Sequence, residues 1–257
     1  MQSWLTPVRS ASAFPSPVVE PPPEPSRSPV EEIAYRHGDV YGAQAALVAI
    51  DAPLTIIDGG MHHGQSAEKY ALAFPACRIF GFEPEAANFE TTSARLVPFG
   101  ERIRMFPLGL SDNSGTAELN INSHDGTHSL FEIGDVSHWD EMATTVDRRS
   151  IQTVTLDQFC LDHGITRIDV LKLDIQGGEL RALKGAEGLL RRRAVRLVAA
   201  EVNFVPLYRD MPLFWDVAAY MAGLGYALHG LFDLHHTRDG SGALRWADAI
   251  FVAPPGS

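Results

Sequence analysis

The sequence predicts a three-layer α/β sandwich with a mostly parallel sheet, and three observations support this fold class. Short apolar runs alternate with helical patterns over most of the chain, which is the order that repeated β-α units produce. Two of these runs stop on an aspartate and turn through glycines, in TIIDGGMHHGQ (residues 55–65) and DVLKLDIQGGE (residues 169–179). The last two apolar runs, residues 226–232 and 246–253, flank a polar turn and predict a closing antiparallel hairpin.

Composition allows one globular core and disfavours several kinds of partner. The chain has 257 residues, of which 45% are hydrophobic and 21% charged. Its formal net charge of −11 disfavours nucleic acid and anionic membranes, because phosphate binding needs clustered Lys and Arg. The two cysteines, Cys77 and Cys160, have neither metal-ligand nor disulfide spacing, so we expect a cytoplasmic protein. No apolar run is long enough to predict a membrane span, and the oligomeric state is left open.

The N-terminal segment differs from the rest of the chain. Residues 1–29 contain eight of the 17 prolines, with serines between them. Such a segment buries little apolar surface, which predicts a disordered or extended tail, with a partner-binding arm as the alternative. Residues 30–257 are then expected to form a single domain, and a helical pattern begins near its start and continues to Ile50.

The first half of this domain shows alternating strands and helices. The apolar run at residues 54–58 predicts a buried strand, and the helical spacing at 65–74 predicts the helix that follows it. Residues 78–83 form the next apolar run. Pro84 comes directly after it, and proline is favoured at the first position of a helix. A third strand is predicted at 102–109.

The second half begins with an irregular stretch and then returns to the same alternation. Residues 111–150 contain alternating pieces that suit short strands or a loop over a site. The later apolar runs predict two more parallel strands, and the helical patterns between them predict two helices. The predicted elements are short strands at 116–122 and 127–133, parallel strands at 168–174 and 196–202, and helices at 179–190 and 213–223.

The loop after the first predicted strand has the features of a cofactor site. Glycines such as Gly60 and Gly64 let the backbone approach a ligand, and the helix starting at Gln65 offers free N–H groups close to His62. The spacing does not match the G-x-G-x-x-G pattern of dinucleotide folds. Asp58 would repel a pyrophosphate but attract the cationic groups of S-adenosylmethionine. The alternative is that Asp58 only caps the helix and the glycines only turn the chain.

The next two predicted strands offer further cofactor contacts. Glu83 ends the second strand at a spacing close to the roughly 20 residues at which an acid reaches the ribose hydroxyls of an adenosine cofactor. Pro84 belongs to the same turn. Leu110, Ser111 and Asp112 follow the third strand and could offer an apolar contact and a polar acceptor to an adenine, or could simply form a turn.

Acids at the ends of the later strands are the candidates for catalysis. Asp174 and Glu201 both end strongly apolar runs and are expected at the same edge of the sheet, where acid–base chemistry could use them. An ion pair with Lys172 or Lys184 is the structural alternative for Asp174. His128, in the irregular stretch, is a third candidate proton acceptor. The histidines show no H-E-x-x-H or comparable ligand spacing, so the sequence predicts no zinc site.

Taken in order, these motifs resemble the FkbM-type methyltransferases. The matching segments are DGGxxxG, FEP, LSDNSG, VTLD and DVLKLDIQGGE, and the resemblance covers roughly residues 54–252. It implies a seven-stranded Rossmann-like sheet, S-adenosylmethionine as cofactor, and methylation of hydroxyl groups on sugars or specialised metabolites. The chain departs from the family pattern at Met61 and His62, which replace Ala-Asn, at Gln176, which replaces an acid, and at Asn203, which stands where the family often has histidine.

The expected function is therefore O-methylation of a small, glycosidic or specialised, acceptor. An alcohol is a weak nucleophile at neutral pH, and a positioned proton acceptor typically contributes about 10²–10⁴-fold. A divalent ion held by acids such as Asp174 is an alternative way to orient the hydroxyl. Two other classes stay open from the sequence: an adenosine-ligand binder without turnover, and a nicotinamide-dependent oxidoreductase.

Overall fold

The computed structural model describes residues 39–48, 53–134, 143–237 and 240–254. The predicted proline-rich tail lies outside the described residues, as does the predicted helical pattern before Asp39. The strands, in chain order, are β1 Thr55–Gly59, β2 Arg78–Phe82, β3 Ile103–Phe106, β4 Gly109–Leu110, β5 Gly115–Asn122, β6 Thr145–Val154, β7 Ile168–Leu173, β8 Val195–Asn203, β9 Ala227–His236 and β10 Leu244–Val252. The helices are α1 Val40–Leu47, α2 Gln65–Ala73, α3 Ala86–Leu96, α4 Leu156–Asp162, α5 Glu179–Lys184, α6 Glu187–Arg191 and α7 Phe214–Gly223.

The main sheet confirms the predicted fold class. Its seven strands lie in the order β3-β2-β1-β7-β8-β10-β9, and the first five of these are parallel. β10 runs antiparallel between β8 and β9, as the predicted hairpin requires. The strand order reverses between β1 and β7, and in open α/β sheets ligands bind outside the carboxyl ends of the strands at such a point.

Helices cover both faces of this sheet, which gives the three layers. Successive strand residues point to opposite faces, so Ile57 and Leu171 join one apolar cluster while Ile56 and Val170 join the other. The first cluster includes side chains of α4 to α7, and the second includes side chains of α1 and α2. Within the described residues, no helix has the length and apolar character needed to cross a membrane.

A second, three-stranded sheet was not predicted. Its order is β4-β6-β5, with β6 antiparallel to β5 and parallel to β4. The predicted third strand therefore ends earlier, at Phe106, and Gly109–Leu110 belongs to the other sheet. Of the two alternatives for residues 127–133, short strands or a loop, the structure has no regular strand but a 3₁₀ turn at Asp125–Thr127 followed by isolated bridges. β6 was missed because most of its residues are exposed, so it carries no apolar run.

Two helix predictions need correction, and one helix was not predicted. α3 begins at Ala86 rather than Pro84, because the Glu85 side chain accepts a hydrogen bond of 2.8 Å from the backbone N–H of Asn88 and caps the helix. The predicted helix at 179–190 is two helices that meet near Gly185. A Cβ at Gly185 would lie 2.0 Å from the carbonyl oxygen of Ser111, so the chain packs too closely there for any side chain. α4 had no sequence prediction.

Candidate active site

A pocket of about 310 Å³ opens at the carboxyl ends of β1, β2, β7 and β8, between the main sheet and the small sheet. This is the low end of the range for small-molecule sites. Its polar wall contains Glu83, Asp125, His128, Asp174, Gln176 and Glu201, and its apolar wall contains Phe82, Pro84, Leu108, Leu110, Leu119 and Ile151. Among the described residues, no lysine or arginine lines the pocket, which suits a ligand with positive charge better than one with phosphates.

The loop after β1 is held closely against the neighbouring strands. The backbone N–H groups of Gly60 and Met61 both donate to the carbonyl of Phe82, at 3.0 and 3.1 Å. Gly60 has a φ of 78°, and a Cβ on it would lie 1.8 Å from the carbonyl oxygen of Asp174. The Met61 side chain is buried over Gly81, where an added Cβ would meet its sulfur at 1.9 Å. The missing side chain of Gly81 therefore leaves room for the Met61 side chain.

Glu83 is fixed at the pocket wall by backbone donors. Its two carboxylate oxygens accept hydrogen bonds from the N–H of His62 at 2.8 Å and of Glu85 at 3.0 Å. Burial raises the pKa of Glu83 to about 7, against the lowering effect of these two hydrogen bonds. Each oxygen retains further acceptor capacity, so the carboxylate can also accept from the hydroxyls of a ribose.

Lys172 connects the two strand ends behind the pocket. Its Nζ lies 3.3 Å from Oδ1 of Asp58 and 3.5 Å from Oδ2 of Asp174, and it donates to the carbonyl of Gly60 at 3.1 Å. Burial alone would lower the pKa of Lys172, but Asp58 and Asp174 hold it above its ordinary value. Asp58 itself is fully buried, and it also accepts a 2.6 Å hydrogen bond from Ser66 in α2.

Asp174 and Glu201, at the end of the pocket opposite Glu83, both accept a hydrogen bond from one side-chain amide. Nε2 of Gln176 donates to Oδ1 of Asp174 at 3.0 Å and to Oε1 of Glu201 at 3.3 Å. The Tyr208 hydroxyl has one proton and two acceptors, the carbonyl oxygen of Thr127 at 2.8 Å and Oε1 of Gln176 at 2.9 Å. It faces the oxygen side of the Gln176 amide, which leaves the amide nitrogen toward the acids. Gln176 has a φ of 55°, an uncommon conformation for a residue other than glycine, which presents its side chain to both carboxylates.

Negative charge accumulates around Glu201. Burial raises the pKa of Glu201 well above its ordinary value, and the neighbouring Asp174 and Glu179 raise it further. Asp248 lies directly opposite Glu201 in the pairing of β8 with β10. Burial, with a smaller contribution from Asp174, raises the pKa of Asp248 to about 7. Protons are therefore bound more readily here than on ordinary surface acids.

His128 lines the pocket but offers no free acceptor to it. Its Nδ1 accepts a 3.1 Å hydrogen bond from the N–H of Asn122, so the neutral ring carries its proton on Nε2. Burial lowers the pKa of His128, which favours this neutral form. The geometry thus disfavours the predicted role of His128 as a proton acceptor, although its Nε2–H can donate.

Several predicted cofactor residues do not line the pocket. Asp58 is buried behind Lys172 and does not cap α2, whose N-cap is Gly64 without a side-chain cap. Gly64 makes the turn into α2 and packs on Thr92, and Gln65 begins that helix. The carbonyl of Ser111 packs on Gly185, and exposed Asp112 accepts a 3.2 Å hydrogen bond from the Ser111 hydroxyl. By contrast, Gly60, His62, Glu83, Pro84, Leu110, Asp174, Glu201 and His128 all line the pocket.

Sequence reasoning missed five polar residues of the site. Lys172 had entered only as an ion-pair partner, and Gln176 only as a departure from the family pattern. Lys172 could have been found from the register, because it lies opposite Asp58 in adjacent parallel strands. Tyr208, Asp248 and Asp125 reach the site from a loop, from the closing hairpin and from the small sheet, and no local motif marks them.

Several known methyltransferases are similar to this chain. The profile of the methyltransferase FkbM domain matches residues 58–228. The 2-O-methyltransferase NoeI of Sinorhizobium fredii is 24% identical over 174 residues, which is 62% of this chain and 67% of NoeI. The ribosomal RNA small subunit methyltransferase H of Corynebacterium aurimucosum is 26% identical over 118 residues, 40% of this chain and 34% of that protein. Among solved structures, precorrin-6y C5,15-methyltransferase from Geobacter metallireducens has a TM-score of 0.45 at 9% identity, over 83% of this chain and 87% of that one.

The profile match includes the loop after β1, Glu83 and the Lys172–Glu179 segment, which are the parts that build the pocket. The pocket walls fit the methyl donor of these enzymes: a carboxylate is available for ribose hydroxyls, apolar side chains for an adenine, and acids for the sulfonium and ammonium groups. Because the match covers more than half of the chain, this protein belongs to the FkbM methyltransferase family and uses S-adenosylmethionine as its cofactor.

Proposed function

We propose that this chain is an O-methyltransferase that modifies a hydroxyl of a small acceptor, a sugar or a specialised metabolite. The observation that carries the proposal is the pairing of Asp174 with Glu201 through Gln176, at the end of the pocket opposite Glu83. The cofactor supplies an activated methyl group with a neutral thioether as leaving group. What the chain must add is an acceptor oxygen in line with that methyl and a place for the hydroxyl proton.

Glu83 is the proposed anchor of the cofactor. Two backbone donors fix its carboxylate, so its orientation does not depend on a flexible partner. Pro84 and Leu110 lie on the apolar side of the same wall and suit the adenine, while Gly60 and His62 border the pocket near the strand ends.

Asp174 is the proposed proton acceptor for the acceptor hydroxyl. Its side chain is 39% exposed, so it can reach a bound hydroxyl, and Lys172 and Gln176 restrict its position. Glu201 is the second candidate, because the charges around it favour proton uptake. Gln176 and Tyr208 are positioning residues that act through these acids.

The charge of the site also bears on the acceptor. A neutral sugar or polyol hydroxyl meets no electrostatic barrier in an acid-lined pocket, whereas a polyphosphate chain does. With a formal net charge of −11, nucleic acid is disfavoured as an acceptor. The similarity to NoeI, whose name describes a 2-O-methyltransferase, points in the same direction, and the likeness to a ribosomal RNA methyltransferase covers a smaller part of the chain.

The proposal is tested by transfer of a labelled methyl group from S-adenosylmethionine to a panel of glycosides, polyols and RNA. We expect label on a hydroxyl of a small acceptor, formation of S-adenosylhomocysteine in equal amount, and loss of both in Asp174→Asn. Label found on RNA or on nitrogen would overturn the proposal, as would tight cofactor binding without transfer to any acceptor. A nicotinamide dinucleotide copurifying with the protein would contradict the cofactor assignment itself.

A further inference from the structure

Two segments face each other at the rim of the pocket and bring three metal-ligating side chains together. His62 and His63 lie in the loop after β1, and Asp125 begins the 3₁₀ turn that follows β5. His62 has a φ of 49°, and its ring stacks on that of His63, with centroids 3.8 Å apart and an angle of 18° between the rings. Both rings therefore present the same edge to Asp125.

The distances match those between ligands of one metal ion. Nε2 of His62 and Nε2 of His63 each lie 3.2 Å from the same oxygen, Oδ2 of Asp125. The three ligand atoms all lie within 4.8 Å of one another. Zinc binds imidazole nitrogen and carboxylate oxygen at about 2.0–2.2 Å, so two ligands of a tetrahedral ion are separated by roughly 3.3–3.5 Å.

One of these atoms has no other use in the described structure. Nε2 of His62 is shielded from solvent and has no aligned hydrogen bond, despite its closeness to Asp125. A buried, unpartnered polar atom costs free energy and calls for an explanation. Protonation of both rings would give each an ion pair with Asp125, but it would also stack two like charges face to face. A divalent ion between the rings and the carboxylate satisfies all three groups without that repulsion.

We infer that His62, His63 and Asp125 form a binding site for a divalent first-row transition metal ion, with Zn²⁺ as the preferred probe. Imidazole nitrogens suit this class of ion, whereas Mg²⁺ and Ca²⁺ prefer oxygen ligands. Three protein ligands leave a fourth position for water or for a group of the ligand. Because His62 and Asp125 also line the pocket, the ion would join the main sheet to the turn of the small sheet across the pocket rim.

The sequence predicted no such site, because its histidines lack ligand spacing and Asp125 is distant in the chain. Of the two histidines, His62 stands where the family pattern has asparagine. The site does not involve the acids proposed for methyl transfer.

The test is a metal titration of the untagged, chelator-treated chain in the absence of cofactor, with Zn²⁺ and a chromophoric competitor. We expect one tight equivalent of Zn²⁺ per chain. Mutation of a residue that only hydrogen-bonds to a metal ligand typically lowers metal affinity about 10–100-fold, and loss of a ligand itself should cost at least as much. His63→Asn and Asp125→Ala should therefore each weaken Zn²⁺ binding by at least about 100-fold. The control His229→Asn removes an exposed histidine of β9 and should bind like the wild type.

A Co²⁺-loaded sample adds a signature that does not depend on affinity. The intense visible absorption of a four-coordinate ion should appear in the wild type and in His229→Asn, and should be lost in the two ligand variants while their circular dichroism stays native. Absence of tight Zn²⁺ binding would overturn the inference in favour of a plain ion pair. Equal binding by wild type, His63→Asn and Asp125→Ala would overturn it too, because the ion would then lie elsewhere. Neither result depends on methyl transfer.

Discussion

Glu83 and Glu201 line the same pocket from opposite ends, at β2 and β8 of one sheet, and their surroundings differ. Glu83 is held by two backbone N–H groups. Glu201 receives one 3.3 Å hydrogen bond from Gln176 and lies among other carboxylates, with Asp248 directly opposite. A carboxylate fixed by backbone donors is suited to hold a ligand, whereas a group of crowded carboxylates is suited to take up a proton. The end of a strand thus brings an acid to the pocket. The groups around the acid indicate whether it is better suited to bind a ligand or to take up a proton.

The largest expected effect is on the rate of methyl transfer, and it tests whether the acidic region takes part in the chemical step. Asp174→Asn keeps the shape of the side chain but removes its charge and basicity. If the acidic region accepts the proton, single-turnover methyl transfer at saturating cofactor should fall at least about 100-fold, while cofactor affinity changes far less. Glu201→Gln is the matched comparison and should have the smaller effect. A near-normal rate in Asp174→Asn would move the role to Glu201, and a parallel loss of affinity and rate would make Asp174 a cofactor ligand.

The next effect concerns binding alone. Glu83→Ala removes the acid that two backbone donors hold at the other end of the pocket. Loss of a hydrogen bond to a charged group costs about 1.5–3 kcal/mol, and calorimetry with S-adenosylhomocysteine should show a loss of that size. Glu90→Ala, in the exposed part of α3, is the control. Unchanged affinity in a folded Glu83→Ala variant would remove Glu83 from the site.

A smaller effect concerns stability and its dependence on pH. The pKa of Asp248 is raised from 3.8 to about 7, mainly by burial. The folded state therefore holds this proton more tightly than the unfolded chain, so the stability of the free protein falls as pH rises from about 4 to about 7. Asp248→Asn removes this loss of stability above neutral pH. It should raise Tm at about pH 8 by roughly 2–4 °C for each kcal/mol gained in the free energy of unfolding.

The comparison for this experiment is made at low pH. Near pH 4 the Asp248→Asn variant and the wild type should melt together, because the wild-type carboxyl is protonated in the folded state there. The exposed Asp162→Asn variant at the end of α4 should show no pH-dependent gain. A gain from Asp248→Asn that is equal at both pH values would mean that packing rather than charge is responsible.

The smallest effect is expected from the N-terminus. Deletion of residues 1–28 removes a proline-rich segment with few periodic apolar residues, so Tm should stay within a few degrees of the full chain. α1, which follows this segment, contacts β8 and β10 close to the acidic region. A large loss of stability on deletion would show that the acidic region depends on the tail, and the predicted domain boundary would be wrong.

Most main-sheet strands could be predicted along the chain because they are buried apolar runs, although β9 is largely exposed. The same patterns located Glu83, Asp174 and Glu201, since parallel strands bring their carboxyl ends to one edge. The small sheet did not follow, because β6 is largely exposed and pairs with distant partners. Residues such as Tyr208 and Asp248 reach the site through the tertiary fold, and Gln176 depends on a backbone conformation that no local pattern required.

Gly60 sets a physical limit on the whole reaction centre. Its missing side chain lets the loop after β1 approach the carbonyl of Asp174 so closely that a single methyl group would overlap it. The loop that donates to Glu83 and the strand end that carries Asp174 meet at this point. A wedge there would separate them, and a misplacement of about 1 Å can cost roughly 100-fold in rate. Gly60 therefore lets the loop after β1 pack against the end of β7, and any larger residue at this position would move the two apart.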